Sequence, residues 1–259
     1  MYTQPQKKFS LKTQQIIEQE LIEIAAQNIP VRRIFLADGD AMTLSSRRLR
    51  EILLAIRKHL PNVQRVASYC LPRNIRNKSS AELSELAELG LSLFYVGCES
   101  GDNLVLDRVN KGENFDTSLS ALEKIKKAGA KSSVMILNGM GGKRYSEQHA
   151  VNSARLMNAA QPEYLSTLVL SFPDGMQRYQ QGFKNEFEPL KQNELFIEMH
   201  TLLNALELKQ TIFRSDHASN YLALRGTLGK DKEKLMRLVT TAIETPNTAD
   251  LREEWQRGL

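Results

Sequence analysis

An α/β fold built on a parallel sheet is what this sequence predicts, and three features predict it. Short apolar runs rich in β-branched and aromatic residues recur along the chain, helical patterns fill the gaps between them, and no Asn-Gly hairpin signal joins one run to the next. The runs are Val31–Ala37, Val63–Tyr69, Leu91–Gly97, Ser133–Leu137 and Tyr164–Phe172. Their apolar character on both alternating faces suits strands covered on both sides, as parallel strands are.

The helices follow from spacing and end signals. Leu49, Ile52, Leu53 and Ile56 share one face at intervals of three and four. Leu83, Leu86 and Leu89 share another, after Ser79-Ser80 as an N-cap and before Gly90 as a stop. Leu119, Leu122, Ile125 and Ala128 mark a third face closed by Gly129, and a fourth helix spans about Glu147 to Ala160. Repeated β–α alternation implies right-handed crossovers, in either an open doubly wound sheet or a barrel. Beyond Phe172 the pattern changes. Residues 177–188 read as polar with little core signal, a helix spans about Asn193–Leu206, and Thr211-Ile212-Phe213 is strand-like. A last helix runs from about Asp231 to Ile243, and the final fifteen residues read as a loose charged tail.

Composition narrows the function. The chain has 259 residues, with 35 basic against 30 acidic and a net charge of +5 in no stripe, so nucleic-acid binding is permitted but not argued. Two cysteines, Cys70 and Cys98, cannot make a disulfide framework, and no apolar stretch reaches membrane-span length. A cytoplasmic protein is expected.

Parallel α/β proteins bind ligands at the carboxyl ends of their strands. Here those ends carry Asp38-Gly39-Asp40, Ser68-Tyr69-Cys70, Glu99-Ser100-Gly101, Asn138-Gly139-Met140-Gly141-Gly142 and Pro173-Asp174-Gly175. Glycines let a ligand approach the backbone, and carboxylates beside them can hold an ammonium group or a ribose diol. Each piece also has a plainer reading. Asp38-Gly39-Asp40 and Glu99-Ser100 serve equally well as turns or helix caps, and the two cysteines as core residues. His59 and His200 lie in helical patterns and His149 has no evident partner, whereas His217 sits in the polar cluster Arg214–Tyr221.

Taken in order, several segments resemble the radical S-adenosylmethionine (SAM) superfamily. They are Phe35–Ala41, Ala67-Ser68-Tyr69 with Pro72–Ile75, Gly97–Gly101, Asn110-Lys111-Gly112, Leu137–Gly142 and Phe213–Tyr221. The resemblance implies a partial (β/α)6 TIM-like barrel of parallel strands with its first strand missing, and a C-terminal helical/α+β extension. The implied domains are a truncated core barrel over 1–175, an extension over 176–245 and a charged tail over 246–259. It further implies SAM as cofactor, with Gly39 and Asp40 at the methionine amino group and Ser68 facing the same ligand. Glu99 and Ser100 would lie near the ribose, Lys111 would pair with the SAM carboxylate, and Asn138, Gly139 and Gly141 would back the adenine. Arg214, His217, Asn220 and Tyr221 would line a substrate pocket.

The family holds a [4Fe–4S] cluster on CxxxCxxC, a pattern this sequence does not contain. Met1-Tyr2 and Lys7-Lys8-Phe9 resemble the stretch that follows the last of those cysteines, so the sequence reads as an N-terminally truncated form whose complete version would cleave SAM to a 5′-deoxyadenosyl radical with an electron donor as partner. Two alternatives stand beside it. One is a cluster-less SAM- or nucleotide-binding or regulatory module. The other is a non-radical barrel enzyme using Asp38, Asp40, Glu99 and His217 as acids and bases.

A barrel lacking its first strand leaves the Val31–Ala37 edge unpaired, and unpaired apolar edges recruit other strands. The purified chain is therefore expected to dimerise or to dissolve poorly. Sedimentation velocity showing a well-behaved monomer across a concentration series counts against this.

Overall fold

The computed structural model describes residues 10–173 and 175–257. The Met1–Phe9 pattern and Asp174 lie outside these. The described elements, in chain order, are α1 (Gln14–Ala26), β1 (Arg33–Leu36), α2 (Ser46–His59), β2 (Arg65–Cys70), α3 (Pro72–Arg76), α4 (Ser80–Glu88) and β3 (Leu91–Glu99). They continue with α5 (Asn103–Arg108), α6 (Phe115–Lys127), β4 (Lys131–Asn138), α7 (Gly142–Ala160), β5 (Tyr164–Val169), α8 (Gln177–Gly182) and α9 (Gln192–Ala205). The chain closes with β6 (Ile212–Ser215), β7 (Leu224–Thr227) and α10 (Lys232–Glu244). Among the described residues the strands follow sheet order β1-β2-β3-β4-β5-β6-β7. The chain divides into two compact units, one reaching Tyr95 and including Lys124–Lys131, the other comprising Val96–Glu123 and the chain from Ser132 onward.

In the first unit β1 runs parallel to β2 in the register Phe35↔Ala67 and Leu36↔Ser68. Their helices form where the spacing placed them. Leu49, Ile52, Leu53 and Ile56 of α2 are buried. The Ser79 hydroxyl accepts the Glu82 N–H at 3.1 Å while the Glu82 carboxylate accepts the Ser79 N–H, a reciprocal cap that fixes the start of α4. Phe35, Tyr69 and Tyr95 pack their rings 4.7 to 5.9 Å apart, centroid to centroid. Helix α1 was not legible in the sequence, because of its apolar residues only Leu21 is buried. A cavity of about 600 Å³ runs along β1, lined by Ile17, Leu21 and Ile24 of α1, Ile34 of β1, and Ile52 and Ile56 of α2.

In the second unit β4 pairs parallel with β5, and β5 with β6. Strand β7, absent from the sequence reading, returns antiparallel to β6 with Phe213 opposite Gly226. Its short Leu-Arg-Gly-Thr sequence alternates too little to mark a strand, and pairing to β6 supplies what propensity does not.

Two expectations for this unit are corrected. Residues 177–188 are not a polar coil without a core: Phe183 and Phe187 are buried and their rings pack with those of Tyr145, Phe172 and Tyr179. Nor are residues 246–257 loose. Leu251 bridges to Leu222, and Arg252 donates from its backbone to Tyr221 O at 2.7 Å and from its guanidinium to His217 O and Asn220 O. A run that reads as charged packs because its arginines satisfy the carbonyls of a neighbouring loop.

Close backbone approach sets the packing of α7. A Cβ at Gly101 would lie 2.3 Å from the Asn152 carbonyl oxygen, whereas one at Gly90 would meet nothing within 4 Å. Gly101→Ala is expected to cost about 3 kcal/mol, as overpacking against a backbone does. Gly90→Ala, which only strains a φ of +107°, should cost about 1–2 kcal/mol. Urea denaturation of both variants checks the order.

Candidate functional site

The end of β3 carries the most ligand-like arrangement. Glu99 adopts φ +66°, a left-handed conformation unusual for a side chain of its size. Its carboxylate accepts a hydrogen bond from Lys111 Nζ, the two side chains remaining 23% and 13% exposed. Gly97 lies directly beside the pair, since a Cβ there would be 3.5 Å from Glu99 Oε1 and 3.9 Å from Lys111 Nζ. A carboxylate and an ammonium group thus share one partly open position over a strand without side-chain cover. Tyr179 faces the same carboxylate, and burial first, then the negative charge of Glu99, push its phenol well above the usual range.

At the ends of β4 and β5, Asn138, Gly139, Leu170, Ser171, Tyr221 and Arg257 border a cavity of about 210 Å³. The Asn138 amide donates to Leu195 O at 3.2 Å, and the Gly139 N–H donates to Glu198 Oε1 at 2.6 Å. Arg257 lies 3.7 Å from the Tyr221 ring centroid, donating through Nε to Ser219 O and through Nη1 to both Glu254 carboxylate oxygens. Nothing in the sequence distinguished Arg257 from the other charges of the C-terminal run.

Several expected contacts are internal. Ser100 is fully buried, its hydroxyl engaged with His149. Gly141 packs under α7, where a Cβ would lie 2.7 Å from Tyr145 O. Asn220 is buried and clamps β5, accepting the Val169 N–H and donating to Thr167 O and Ser215 Oγ. His217 Nδ1 accepts the Ser219 N–H at 3.1 Å, and Arg214 donates to its neighbour's carbonyl. Of the four residues expected to line a substrate pocket, Tyr221 alone borders the cavity at the ends of β4 and β5.

In the first unit, Gly39 (φ +119°) follows Asp38 (φ +62°) in a tight turn. Asp40 caps the next turn through Oδ1 to Met42 N, and its Oδ2 accepts from Leu71 N and Asn74 Nδ2 at 2.7 and 2.6 Å. Ser68 is fully buried and donates to Tyr69 O.

Cys70 and Cys98 are buried, and burial raises the Cys98 thiol to about 12, far from thiolate. Among the described residues no three His, Cys, Asp or Glu side chains gather to hold a metal. No helix among them is long and apolar enough to cross a membrane.

Sequential parallel strands alternating with helices, with polar strand ends, define an α/β protein of the TIM-like barrel kind. The chain belongs to the Radical SAM superfamily, whose sequence pattern matches residues 2–157. It is 22% identical over 134 residues to the tRNA uridine(34) acetyltransferase of Methanocaldococcus infernus, spanning 50% of this chain and 24% of that one. Among solved structures it resembles the archaeal Elp3 of Methanocaldococcus infernus (TM-score 0.54, 14% identity, 89% of this chain and 58% of that one). It also resembles coproporphyrinogen III oxidase from Escherichia coli, a radical SAM enzyme (TM-score 0.55, 14% identity, 76% and 46%), and methylornithine synthase (TM-score 0.55, 14% identity, 95% and 66%). These likenesses establish the fold. The chain spans 24% of the acetyltransferase and 58% of the Elp3 chain.

Glu198, which no expectation named, is a buried carboxylate whose ionisation burial pushes upward, against the opposing pull of His149. A carboxyl raised in the folded state contributes most below its unfolded value near 4.3, and that contribution is lost as pH rises toward the folded value. The stability of Glu198→Gln relative to wild type is therefore expected to improve as pH rises from about 4 to 7, measured by denaturant titration at several pH values.

Proposed function

We propose that this chain is the adenosyl-binding part of a radical SAM protein, taking S-adenosylmethionine at the carboxyl ends of β3 and β4. Glu99 would accept the ribose hydroxyls and Lys111 would meet the methionyl carboxylate, the two exchanging their mutual ion pair for the ligand. Asn138 and Gly139 would back the adenine.

The observation that carries this reading is the Glu99–Lys111 pair. Complementary charges matching a ribose diol and a carboxylate lie together, part exposed, at a left-handed strand end beside a glycine. Superfamily membership supplies the ligand class. A [4Fe–4S] cluster does not fit the described residues, so no radical step is assigned to them, and the acetyltransferase or oxidase activity of the relatives is not carried over. Acid–base chemistry by His217 is disfavoured, because its Nδ1 is taken by Ser219.

Isothermal titration with SAM and with S-adenosylhomocysteine tests the reading. Wild type should bind both, and Glu99→Gln and Lys111→Met should each weaken binding about tenfold, near 1.4 kcal/mol. No heat with either ligand, or variants that bind like wild type, would overturn it.

A further inference from the structure

Ser100, His149 and Glu198 form a line inside the second unit. Ser100 Oγ is 2.7 Å from His149 Nδ1, and Glu198 Oε1 is 3.9 Å from His149 Nε2. Serine, histidine and carboxylate in that succession is the arrangement of a nucleophile, its base and an orienting group. Burial forbids that use: the three are 0%, 1% and 2% exposed, so no substrate reaches the hydroxyl.

The protons show what the line does instead. His149 Nε2 lies 3.0 Å from the Leu137 carbonyl oxygen, which can only accept, so Nε2 carries the hydrogen. In the neutral ring Nδ1 then accepts from the Ser100 hydroxyl. Ser100 Oγ in turn accepts the Asp102 N–H at 3.0 Å, and Asp102 Oδ1 accepts the Val105 N–H that begins α5. On the other side Glu198 accepts the Gly139 N–H through Oε1 and the Ser146 hydroxyl through Oε2, both at 2.6 Å. One unbroken chain of hydrogen bonds thus ties the turn after β3, residues 99–102, to the end of β4. The carboxylate from α9 holds the turn after β4, residues 138–142. The turn after β3 presses on α7 with no room for a methyl group at Gly101, and the turn after β4 runs directly into α7 through its N-cap Gly141, so neither can shift without the helix that carries His149.

We propose that His149 and Glu198 are positioning residues that hold the turns after β3 and β4 in one fixed relation, so that Glu99 and the Asn138-Gly139 backbone meet an adenosyl ligand as a single preformed surface. The ligand part rests on the reading given above; the mechanical part does not. Neither residue touches ligand. Their contribution is to preorganise residues that do, which saves the ordering cost at binding.

Amide exchange followed by NMR separates this from an ordinary core role. In His149→Phe and Glu198→Leu, the amides of Asp102 and Gly139 should exchange at least tenfold faster while those of Leu165 and Thr167 in β5 keep their protection. S-adenosylhomocysteine affinity should fall about tenfold in both, and Glu198→Gln, which keeps both contacts, should restore it. Ser100→Ala is the milder variant should either of these not fold, and it should accelerate Asp102 while leaving Gly139 unchanged. Exchange that rises uniformly through the unit, or turns that do not respond, overturns the positioning role. Turns that respond in a protein whose wild type binds no S-adenosylhomocysteine would confirm the mechanical coupling and sink the adenosyl reading alone.

Discussion

Close backbone packing without side chains governs the second unit. At Gly101 a methyl group would collide with the backbone of Asn152 in α7, and at Gly142, the first residue of α7, it would meet that of Glu188 at 2.8 Å. Helix α7 therefore lies against the turn after β3 with no side chain between them. At that distance water is excluded, and every polar group of the two turns needs a protein partner. His149, Ser153, Asn152 and Gln148 from α7, with Glu198 from α9, are those partners. The buried charge of Glu198 is the cost of this arrangement, and its upward-shifted ionisation records that cost.

The same need recurs at the C-terminus. The loop from Asp216 to Tyr221 turns several carbonyl groups outward from β6, and they are met by two arginines from the end of the chain. Arg252 takes Asp216, His217 and Asn220 oxygens, and Arg257 takes that of Ser219 while lying over Tyr221. Guanidinium groups suit this task because their donors diverge in a fixed plane and their faces tolerate an aromatic ring. A segment with little apolar content is held by polar satisfaction, with hydrophobic burial secondary.

The candidate site shows how uneven such reading is. Glu99 and Lys111 stand twelve residues apart in sequence and meet in an ion pair, because a strand end and the loop after a short helix return to one place. Ser68 and Ser100 have the right residue type at the right strand ends, yet both hydroxyls face inward to protein partners. A strand alternates its faces, and the left-handed turn at Glu99 re-aims whatever follows it, so chemical type alone could not say which serine would look outward. Glu198 did leave a trace. It sits between Leu195 and Leu202 on the buried stripe of α9, where a charged residue signals a buried partner. His149, on the equivalent stripe of α7 with Ser153 and Ala154, left the same trace.

By itself the sequence determined the class: apolar runs alternating with amphipathic helices impose parallel strands, and parallel strands impose a polar rim of turns, because both follow from periodicity within single segments. It also determined the family, through ordered short motifs. Only the tertiary structure decided which polar residues face solvent and which close the protein's own hydrogen bonds. That choice depends on the distance between segments far apart in the chain, set here by glycines whose effect is the absence of an atom, and no local pattern records it.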